Sequence, residues 1–303
     1  MGIGTPKVVN LVSNKCDTAS NSLKIAYDKS RDSVERPEIA VCVKGLDFLY
    51  EDISLRLIEW LEFQRILGVE KVYFYHLTLH PNVYKVLRYY EDQGFIEVQN
   101  TSMVGGVVNL PEVDHWLIQG FKANKRYNEL IVYNDCFYRH MYQYDYIALL
   151  DIDEVIMPKG DLKLLSQLVM LANTMEGPKN CSQGFASICA GHVYFPTTNT
   201  DSPYMFMLNH PYRSKDFTKR GHNTKCLHNT QQVLTLHNHY SLQWLKSCRP
   251  YDLPNEDAQL QHYRQNVDSK YTKDLILDGQ MERFREPLQE RCAHVLKHLK
   301  LLR

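Results

Sequence analysis

The residues of this chain whose types and spacing suggest chemistry start with an acidic cluster that follows a short apolar run. Residues 146–150 read Tyr-Ile-Ala-Leu-Leu and continue directly into Asp151, Ile152, Asp153 and Glu154. Carboxylates this close together repel one another unless water or a cation screens them. Mg²⁺ and Mn²⁺ prefer oxygen ligands of this kind and bind phosphates at their remaining positions. The Asp-x-Asp pair therefore suits a metal–diphosphate complex, although an acidic turn at the end of a strand explains the same residues more simply.

The elements that would position this cluster alternate between strands and helices. Apolar runs at 39–43, 72–75, 95–98 and 146–150 predict strands. Three-and-four spacing of apolar residues predicts helices from Asp52 to Leu67, from Pro81 to just before Gly94, and over about 124–141. This alternation predicts an α/β fold with a mostly parallel sheet, in which ligands bind beyond the carboxyl ends of the strands.

The second half of the chain has a different pattern. Runs at 184–188 and 192–195 suggest strands without clean intervening helices, and the residues from about Leu275 onward look helical. We interpret residues 1–37 as a polar lead-in, 38–270 as one domain with a nucleotide-type N-terminal half and an acceptor-type C-terminal half, and 271–303 as a helical tail.

Composition excludes several classes of protein. The 303 residues contain 35 Lys and Arg against 35 Asp and Glu, and this balance argues against a nucleic-acid binder. No apolar run approaches the roughly 18 residues of a membrane span, and the N-terminus does not resemble a signal peptide. The sequence is thus interpreted as soluble, or as a form that has lost an upstream anchor.

Cysteine usage leaves the cellular compartment open. The eight cysteines include no Cys-x-x-Cys pair. An even count fits disulfides in a secretory protein, and it equally fits reduced cysteines scattered through a cytosolic core. Two N-glycosylation sequons begin at Asn100 and Asn180, but such triplets arise often by chance.

Several uncommon segments resemble glycosyltransferase family 92, a group earlier catalogued as a domain of unknown function. The resemblance extends over about residues 38–270, and the order and spacing of its segments are more specific than any one motif. The segments are Cys42-Val43-Lys44, residues 57–63 and 67–69, residues 72–75, Tyr89-Tyr90, residues 133–136 with Arg139, residues 151–154, and His262-Tyr263-Arg264.

The resemblance implies a GT-A-type fold, with a Rossmann-like, mostly parallel sheet flanked by helices and a C-terminal acceptor-side portion. It also implies a UDP-sugar donor and Mn²⁺ or another divalent cation. Characterised relatives transfer galactose from UDP-galactose to glycan acceptors with inversion, and they are typically type II membrane proteins of the Golgi. We therefore expect a metal-dependent galactosyltransferase of the Golgi lumen, attached to the membrane only through an upstream anchor that this sequence does not show.

The resemblance assigns the metal to Asp151, Asp153 and His262. Asp153 is expected to be the better ligand, and Asp151 is expected to lie partly towards the ribose. GT-A enzymes often supply a late histidine, and neutral imidazole suits Mn²⁺. Lys44 and Arg264 are expected to contact the donor, with Arg264 neutralising phosphate.

Asn134 and Asp135 are candidates for hydrogen bonds to the base or ribose, although Asp135 can instead support the helical turn that holds Arg139. Inversion requires a carboxylate that takes the proton of the acceptor hydroxyl. Glu256 and Asp257 are the candidates for this base, because many inverting GT-A enzymes carry it in an acidic motif ahead of the late histidine. Solvated charges after Pro254 are the alternative.

One departure from the family pattern keeps a second function open. The family usually carries Gln five residues before the Asn-Asp-Cys segment, where this chain has Glu129. The alternative is a non-catalytic protein of the same fold that binds glycans or nucleotide sugars. A cytosolic phosphotransferase is less favoured, because neither a Gly-x₄-Gly-Lys-[Ser/Thr] loop nor a Gly-x-Gly-x-x-Gly motif occurs.

Overall fold

The computed structural model of the chain describes residues 6–25, 36–103, 110–179, 181, 184–198, 202 and 204–301. In this part the helices are α1 Ser54–Ile66, α2 Pro81–Asp92, α3 Pro111–Gly120, α4 Lys122–His140, α5 Leu165–Asn173 and α6 Arg285–Leu299. The strands are β1 Val8–Val9, β2 Leu23–Lys24, β3 Ile39–Phe48, β4 Lys71–Leu79, β5 Ile96–Asn100, β6 Tyr146–Leu150, β7 Glu154–Pro158, β8 Ser187–Ala190, β9 His192–Pro196, β10 Tyr212–Ser214, β11 Lys225–Asn229, β12 Val233–Leu236, β13 Ser241–Trp244, β14 Tyr251–Asp252, β15 Ala258–Arg264 and β16 Leu275–Leu277.

A seven-stranded sheet with the order β14-β8-β11-β6-β3-β4-β5 forms the centre of the fold. Strands β6, β3, β4 and β5 are parallel neighbours, and β11 joins this group antiparallel to β6. This arrangement confirms the predicted α/β fold with a mostly parallel sheet. It also places the carboxyl end of β6 beside Val43 of β3, in the middle of the sheet.

The period-two alternation of β3 divides the packing between two cores. Ile39, Val41 and Val43 belong to the larger core, which also contains buried residues of α1, α2, α5 and α6. Ala40 and Cys42 point the other way, into a smaller core with α4 residues such as Val132 and Phe137. Helices α1 and α4 therefore cover opposite faces of the sheet.

A second, three-stranded sheet with the order β7-β15-β9 continues from the end of β6. Its strand β7 begins at Glu154, and three residues, 151–153, separate it from Leu150 at the end of β6. Strand β15 pairs with β7 so that His262 lies opposite Glu154. The acidic segment 151–153 thus occupies the junction of two sheets.

The two chain ends differ from the sequence-based description. Residues 275–277 form strand β16 rather than the start of a helix. Their backbone pairs antiparallel with β10. Helical structure begins with a 3₁₀ turn at Met281–Phe284 and continues as α6, whose apolar face lies in the larger core. The lead-in contains the small β1–β2 sheet. Of the two sequons, Asn100 is the exposed last residue of β5, and Asn180 lies outside the described residues.

Three disulfides join distant parts of the chain. They are Cys42–Cys136, Cys181–Cys248 and Cys189–Cys226, whereas Cys16 and Cys292 are free thiols. The first one connects β3 to α4 across a sequence separation of 94 residues. The pattern fits the disulfide alternative for the cysteines rather than the reduced one.

We predict that removing the Cys42–Cys136 disulfide lowers the free energy of unfolding by about 2–5 kcal/mol, because the bond restricts the unfolded chain over a long loop. The test is chemical denaturation of a Cys42→Ala/Cys136→Ala variant. Cys16→Ala is the matched control, since Cys16 is an exposed free thiol. Equal stability of the double variant and the control would refute this role for the bond.

Candidate functional site

The candidate site begins where the buried strand β6 ends. All five residues of β6 are buried, and β3 runs parallel beside it with Val43 opposite Leu150. Because Val43 and Leu150 are paired, the next residue of β3, Lys44, lies at the level of Asp151. The Lys44 Nζ lies 3.0 Å from Asp151 Oδ1 and 3.4 Å from Glu129 Oε1 on α4. The backbone register therefore sets the first ion pair of the site.

A second lysine reaches the same carboxylates from the other side of β6. Lys225, the first residue of β11, is completely buried. Its Nζ lies 3.1 Å from Glu154 Oε2 and 3.8 Å from Asp151 Oδ2, and it donates a hydrogen bond to Asn238 Oδ1. Burial alone would raise the pKa of Asp151, but Lys225 and Lys44 outweigh it and hold that pKa well below its usual range. Asp151 is therefore a firmly ionised, lysine-bound carboxylate.

Asp153 has a different environment from Asp151. Its side chain is 44% exposed, and Oδ2 lies 3.4 Å from Nε2 of His262. Burial opposes ionisation, yet the neighbouring imidazole lowers the pKa of Asp153. In return, Asp153 and Glu154 raise the pKa of His262 against the effect of its burial. The structure thus brings Asp153 and His262 together with their polar atoms facing each other.

A buried histidine stands behind His262. His192 Nε2 lies 2.9 Å from His262 Nδ1, and His192 Nδ1 lies 3.3 Å from Thr218 Oγ1. Burial, with help from the positive charge of His262, lowers the pKa of His192 to about 2, so this imidazole is neutral. A line of contacts consequently runs from Asp153 through His262 and His192 to Thr218.

A cavity of about 430 Å³ opens at the carboxyl edge of β3 and β6. Its lining residues include Lys44, Asp151 and Asp153, which lie at the edge of the sheet between its two faces. The α4 side of the sheet contributes Gln119, Lys125 and Asn128, and the α1 side contributes Arg56 and Glu59, with Arg264 from the end of β15. The cavity therefore joins anionic and cationic groups at the edge of the sheet where α/β proteins bind ligands.

The structure gives Asn134 and Asp135 partners within the fold. Asn134 exchanges hydrogen bonds with the main chain of Leu236 and so anchors the β12–β13 hairpin to α4. Asp135 accepts hydrogen bonds from Tyr75 and Arg139. Neither residue is among those that line the cavity in the described part of the chain. The structure therefore supports the helix-stabilising alternative for Asp135 and a hairpin-anchoring role for Asn134.

Glu256 and Asp257 are not brought to the cavity either. They precede β15, and Ala258 pairs with Pro158 at the end of β7 that lies away from Asp153. His262 is four strand positions further on, which corresponds to about 13 Å along an extended chain. The order of the motifs in the sequence is as expected, but the extended conformation of β15 separates the acidic pair from the histidine.

Whether the residues present suit a divalent cation depends on their donor atoms. Among the described residues, no group of three or more His, Cys, Asp or Glu side chains has the spacing of a metal centre. Asp153 and His262 nevertheless offer one carboxylate oxygen and one imidazole nitrogen beside the cavity. Mg²⁺-like ions are often held by one or two protein ligands together with substrate phosphates. The pair therefore fits a cation that shares its coordination with a diphosphate, while Asp151 is held by lysines.

Two residues that the sequence did not identify are Lys225 and His192. Lys225 begins a strand that is buried throughout, and a lysine in such a segment is an unusual feature. His192 begins β9 and is one of 13 histidines in the chain. Only the pairing of β11 with β6 shows that Lys225 reaches the acidic cluster, and only the pairing of β9 with β15 shows that His192 reaches His262.

Comparisons with known proteins identify a family that this chain matches. A family model described as glycosyltransferase family 92 matches residues 37–298. One similar solved structure is the apo form of WbbM, a bifunctional glycosyltransferase; the match has 8% identity and a TM-score of 0.23, and covers 57% of this chain and 26% of that one. This chain thus spans about a quarter of that protein. No curated protein matches the chain significantly.

We predict that Glu59 makes the stability of the protein fall as pH rises. Glu59 accepts hydrogen bonds from the backbone N–H groups of Met207 and Leu208, but its burial raises its pKa from 4.5 to about 7. The folded state therefore binds more protons than the unfolded chain between these values. Stability that is full below pH 4.5 is lost as pH rises through 7, by at most roughly 3 kcal/mol.

The test is the free energy of unfolding between pH 5 and 7.5 for the wild type, Glu59→Gln and Glu290→Gln, where Glu290 is an exposed glutamate on α6. We expect a shallower decline for Glu59→Gln, and the wild-type slope for Glu290→Gln. Parallel curves for all three proteins would show that Glu59 does not titrate in this range.

Proposed function

Because this chain belongs to glycosyltransferase family 92, we propose that it is a metal-dependent inverting enzyme that transfers a hexose, galactose from UDP-galactose, to a glycan acceptor. Membership in the family establishes the coarser statement, that the protein is a glycosyltransferase with sugar and glycan substrates. The donor sugar, the cation and the stereochemistry are the content of the proposal.

The observation that carries the proposal is the composition of the cavity. It combines Asp151 and Asp153 with the cations Lys44 and Arg264 at the carboxyl edge of the central strands. A nucleotide sugar presents a diphosphate that needs positive charge, and its nucleoside and sugar extend in opposite directions from that diphosphate. A cavity that reaches both faces of the sheet, with the charged groups between them, suits such a ligand.

Different residues would bind different parts of the donor and its cation. Lys44 is already within ion-pair distance of Asp151, so it is fixed beside the place where the diphosphate would lie. Arg264 is exposed at the end of β15 and can make bidentate hydrogen bonds to phosphate. Asp153 and His262 would hold the cation. A bound Mn²⁺ would supply Lewis-acid stabilisation to the departing UDP.

The attacking hydroxyl of the acceptor needs a base on the other side of the sugar. Glu256 and Asp257 remain candidates from the sequence, and they precede β15 at the end that lies away from His262. Glu51, which lines the cavity, has an environment better suited to the role of base than that of Glu256 or Asp257. Its side chain is 61% exposed and its ion pair with Arg56 is long, at 3.9 Å, so its oxygens remain accessible to a substrate hydroxyl.

We also propose that the protein works in the Golgi lumen. The three disulfides support an oxidising compartment. None of the helices within the described ranges has the length and apolar character needed to cross a bilayer.

The ion pair between Glu129 and Lys44 favours a second candidate function. Glu129 replaces the usual Gln and lies 3.4 Å from the lysine that would meet the diphosphate. A protein whose acidic cluster is balanced by its own lysines can bind a sugar nucleotide or a glycan without turning it over. Release of UDP from UDP-galactose in the presence of Mn²⁺ separates the enzyme from this binding protein.

We predict that Asp153→Ala lowers Mn²⁺-dependent UDP release from UDP-galactose by at least about 100-fold, because the cation loses its exposed carboxylate ligand. The fold should be retained, since the side chain is half-exposed. Asp92→Ala is the control, because Asp92 is a 72% exposed aspartate on α2.

Thermal unfolding of each variant checks that the protein is folded, and assays with other UDP-hexoses test the choice of sugar. Wild-type turnover by Asp153→Ala, or wild-type turnover in the presence of a chelator, would contradict the proposed metal site.

A further inference from the structure

The contacts of His192 suggest that this buried residue acts on the site through His262. Two neighbouring strands carry the histidines: β9 begins at His192, and β15 runs parallel to it with Leu260 opposite His192 and His262 opposite Tyr194. The two histidines are therefore diagonal neighbours on the same side of one small sheet. Their separation is set by the spacing of the strands rather than by flexible side chains.

The orientation of His262 depends on which groups accept its ring protons. Its Nε2 faces Asp153, and its Nδ1 lies 2.9 Å from His192 Nε2. Glu154 Oε1 lies 3.7 Å from Nδ1, which is beyond normal hydrogen-bond length. An imidazole that is to offer the lone pair of Nε2 must carry its proton on Nδ1. His192 Nε2 is the acceptor placed to receive that proton.

The surroundings of His192 favour this role as an acceptor. Its Nδ1 is next to Thr218 Oγ1, and the backbone N–H of Thr218 donates to the His192 carbonyl at 2.9 Å. In the tautomer that donates Nδ1–H to the threonine hydroxyl, Nε2 keeps its lone pair and can accept a hydrogen bond. The Tyr194 ring packs against both imidazoles, with centroids 4.5 Å from His192 and 5.7 Å from His262.

We propose that His192 is a positioning residue that accepts the Nδ1–H of His262 and thereby directs the Nε2 lone pair of His262 to the cation-binding side of Asp153. This inference rests on the proposed function, because it requires His262 to be a metal ligand. Groups that orient a ligating histidine typically change metal affinity by about 10–100-fold when they are removed. The expected effect is thus on the binding of the cation, and it does not depend on which sugar or acceptor the enzyme uses.

The test is Mn²⁺ binding in the presence of saturating UDP, followed by the electron paramagnetic resonance signal of free Mn²⁺. His192→Phe removes the acceptor and keeps a planar ring, and we expect its Kd for Mn²⁺ to rise by about tenfold or more. His192→Gln offers a carbonyl oxygen near the position of Nε2, and we expect a Kd within about threefold of the wild type. A merely structural role would not distinguish the two variants in this way.

The matched control is His228→Phe. His228 is also buried and hydrogen-bonded, through Nδ1 to Ser187 Oγ at 2.8 Å, but it contacts none of the carboxylates of the site in the described part of the chain. We expect this variant to bind Mn²⁺ as the wild type does. Should His192→Phe fail to fold, Thr218→Val tests the same contacts, since it removes only the outer hydrogen bond. It should weaken Mn²⁺ binding, and an unchanged Kd there would overturn the inference.

Two other results would overturn it, and they have different consequences. If folded His192→Phe binds Mn²⁺ with wild-type affinity, His192 does not position the ligand, and the proposed glycosyltransferase function is unaffected. If the wild type itself does not bind Mn²⁺ with UDP present, the inference and the metal dependence both fail. UDP release from UDP-galactose then shows whether the transferase activity survives without the cation.

Discussion

The structure depends on balancing the negative charge that collects at the end of one buried strand. Asp151, Asp153 and Glu154 follow β6 within four residues, and an unpaired carboxylate in such a position is expensive to bury. The two strands that flank β6 each provide a lysine: Lys44 lies within β3 on one side, and Lys225 begins β11 on the other. The order of the strands in the sheet therefore places one lysine on each side of the acidic cluster. Removing Lys225 would take away the nearest lysine of the buried Glu154, and breaking a buried ion pair in this way typically costs about 3–5 kcal/mol.

This balance gives the two aspartates of the Asp-x-Asp pair different tasks. Asp151 is engaged by both lysines and by the hydroxyl of Tyr133 at 3.2 Å, so it organises the floor of the cavity. Asp153 is more exposed and faces His262, so it is the carboxylate with room for a cation and a diphosphate. Lys44 connects the two tasks, because it touches Asp151 and also lines the cavity. Binding of a phosphate group would offer Lys44 a second anionic partner.

Much of the fold and part of the site could be predicted from the sequence. The strand at 146–150 and the helix that starts at Pro81 were identifiable because apolar periodicity, a proline at the first helical turn and a terminal glycine all agree locally. The placement of Asp151 and Asp153 followed from the strand that precedes them. The roles of Lys225 and His192 could not be predicted, since they depend on pairing with strands far away in sequence. The sequence does not distinguish an asparagine that binds a ligand from one that anchors a hairpin, so it does not predict the hydrogen bonds between Asn134 and Leu236. Glu256 and Asp257 show the converse problem, because closeness to His262 along the chain did not become closeness in space.

The most direct test of the central claim is a crystal structure of the wild-type protein with Mn²⁺ and UDP, with anomalous diffraction used to locate manganese. The account predicts a single strong anomalous peak between the Asp153 carboxylate and Nε2 of His262, with diphosphate oxygens completing the coordination and Lys44 and Arg264 close to the phosphates. Manganese bound away from His262, or UDP bound outside the cavity with its diphosphate remote from Asp153, would contradict it.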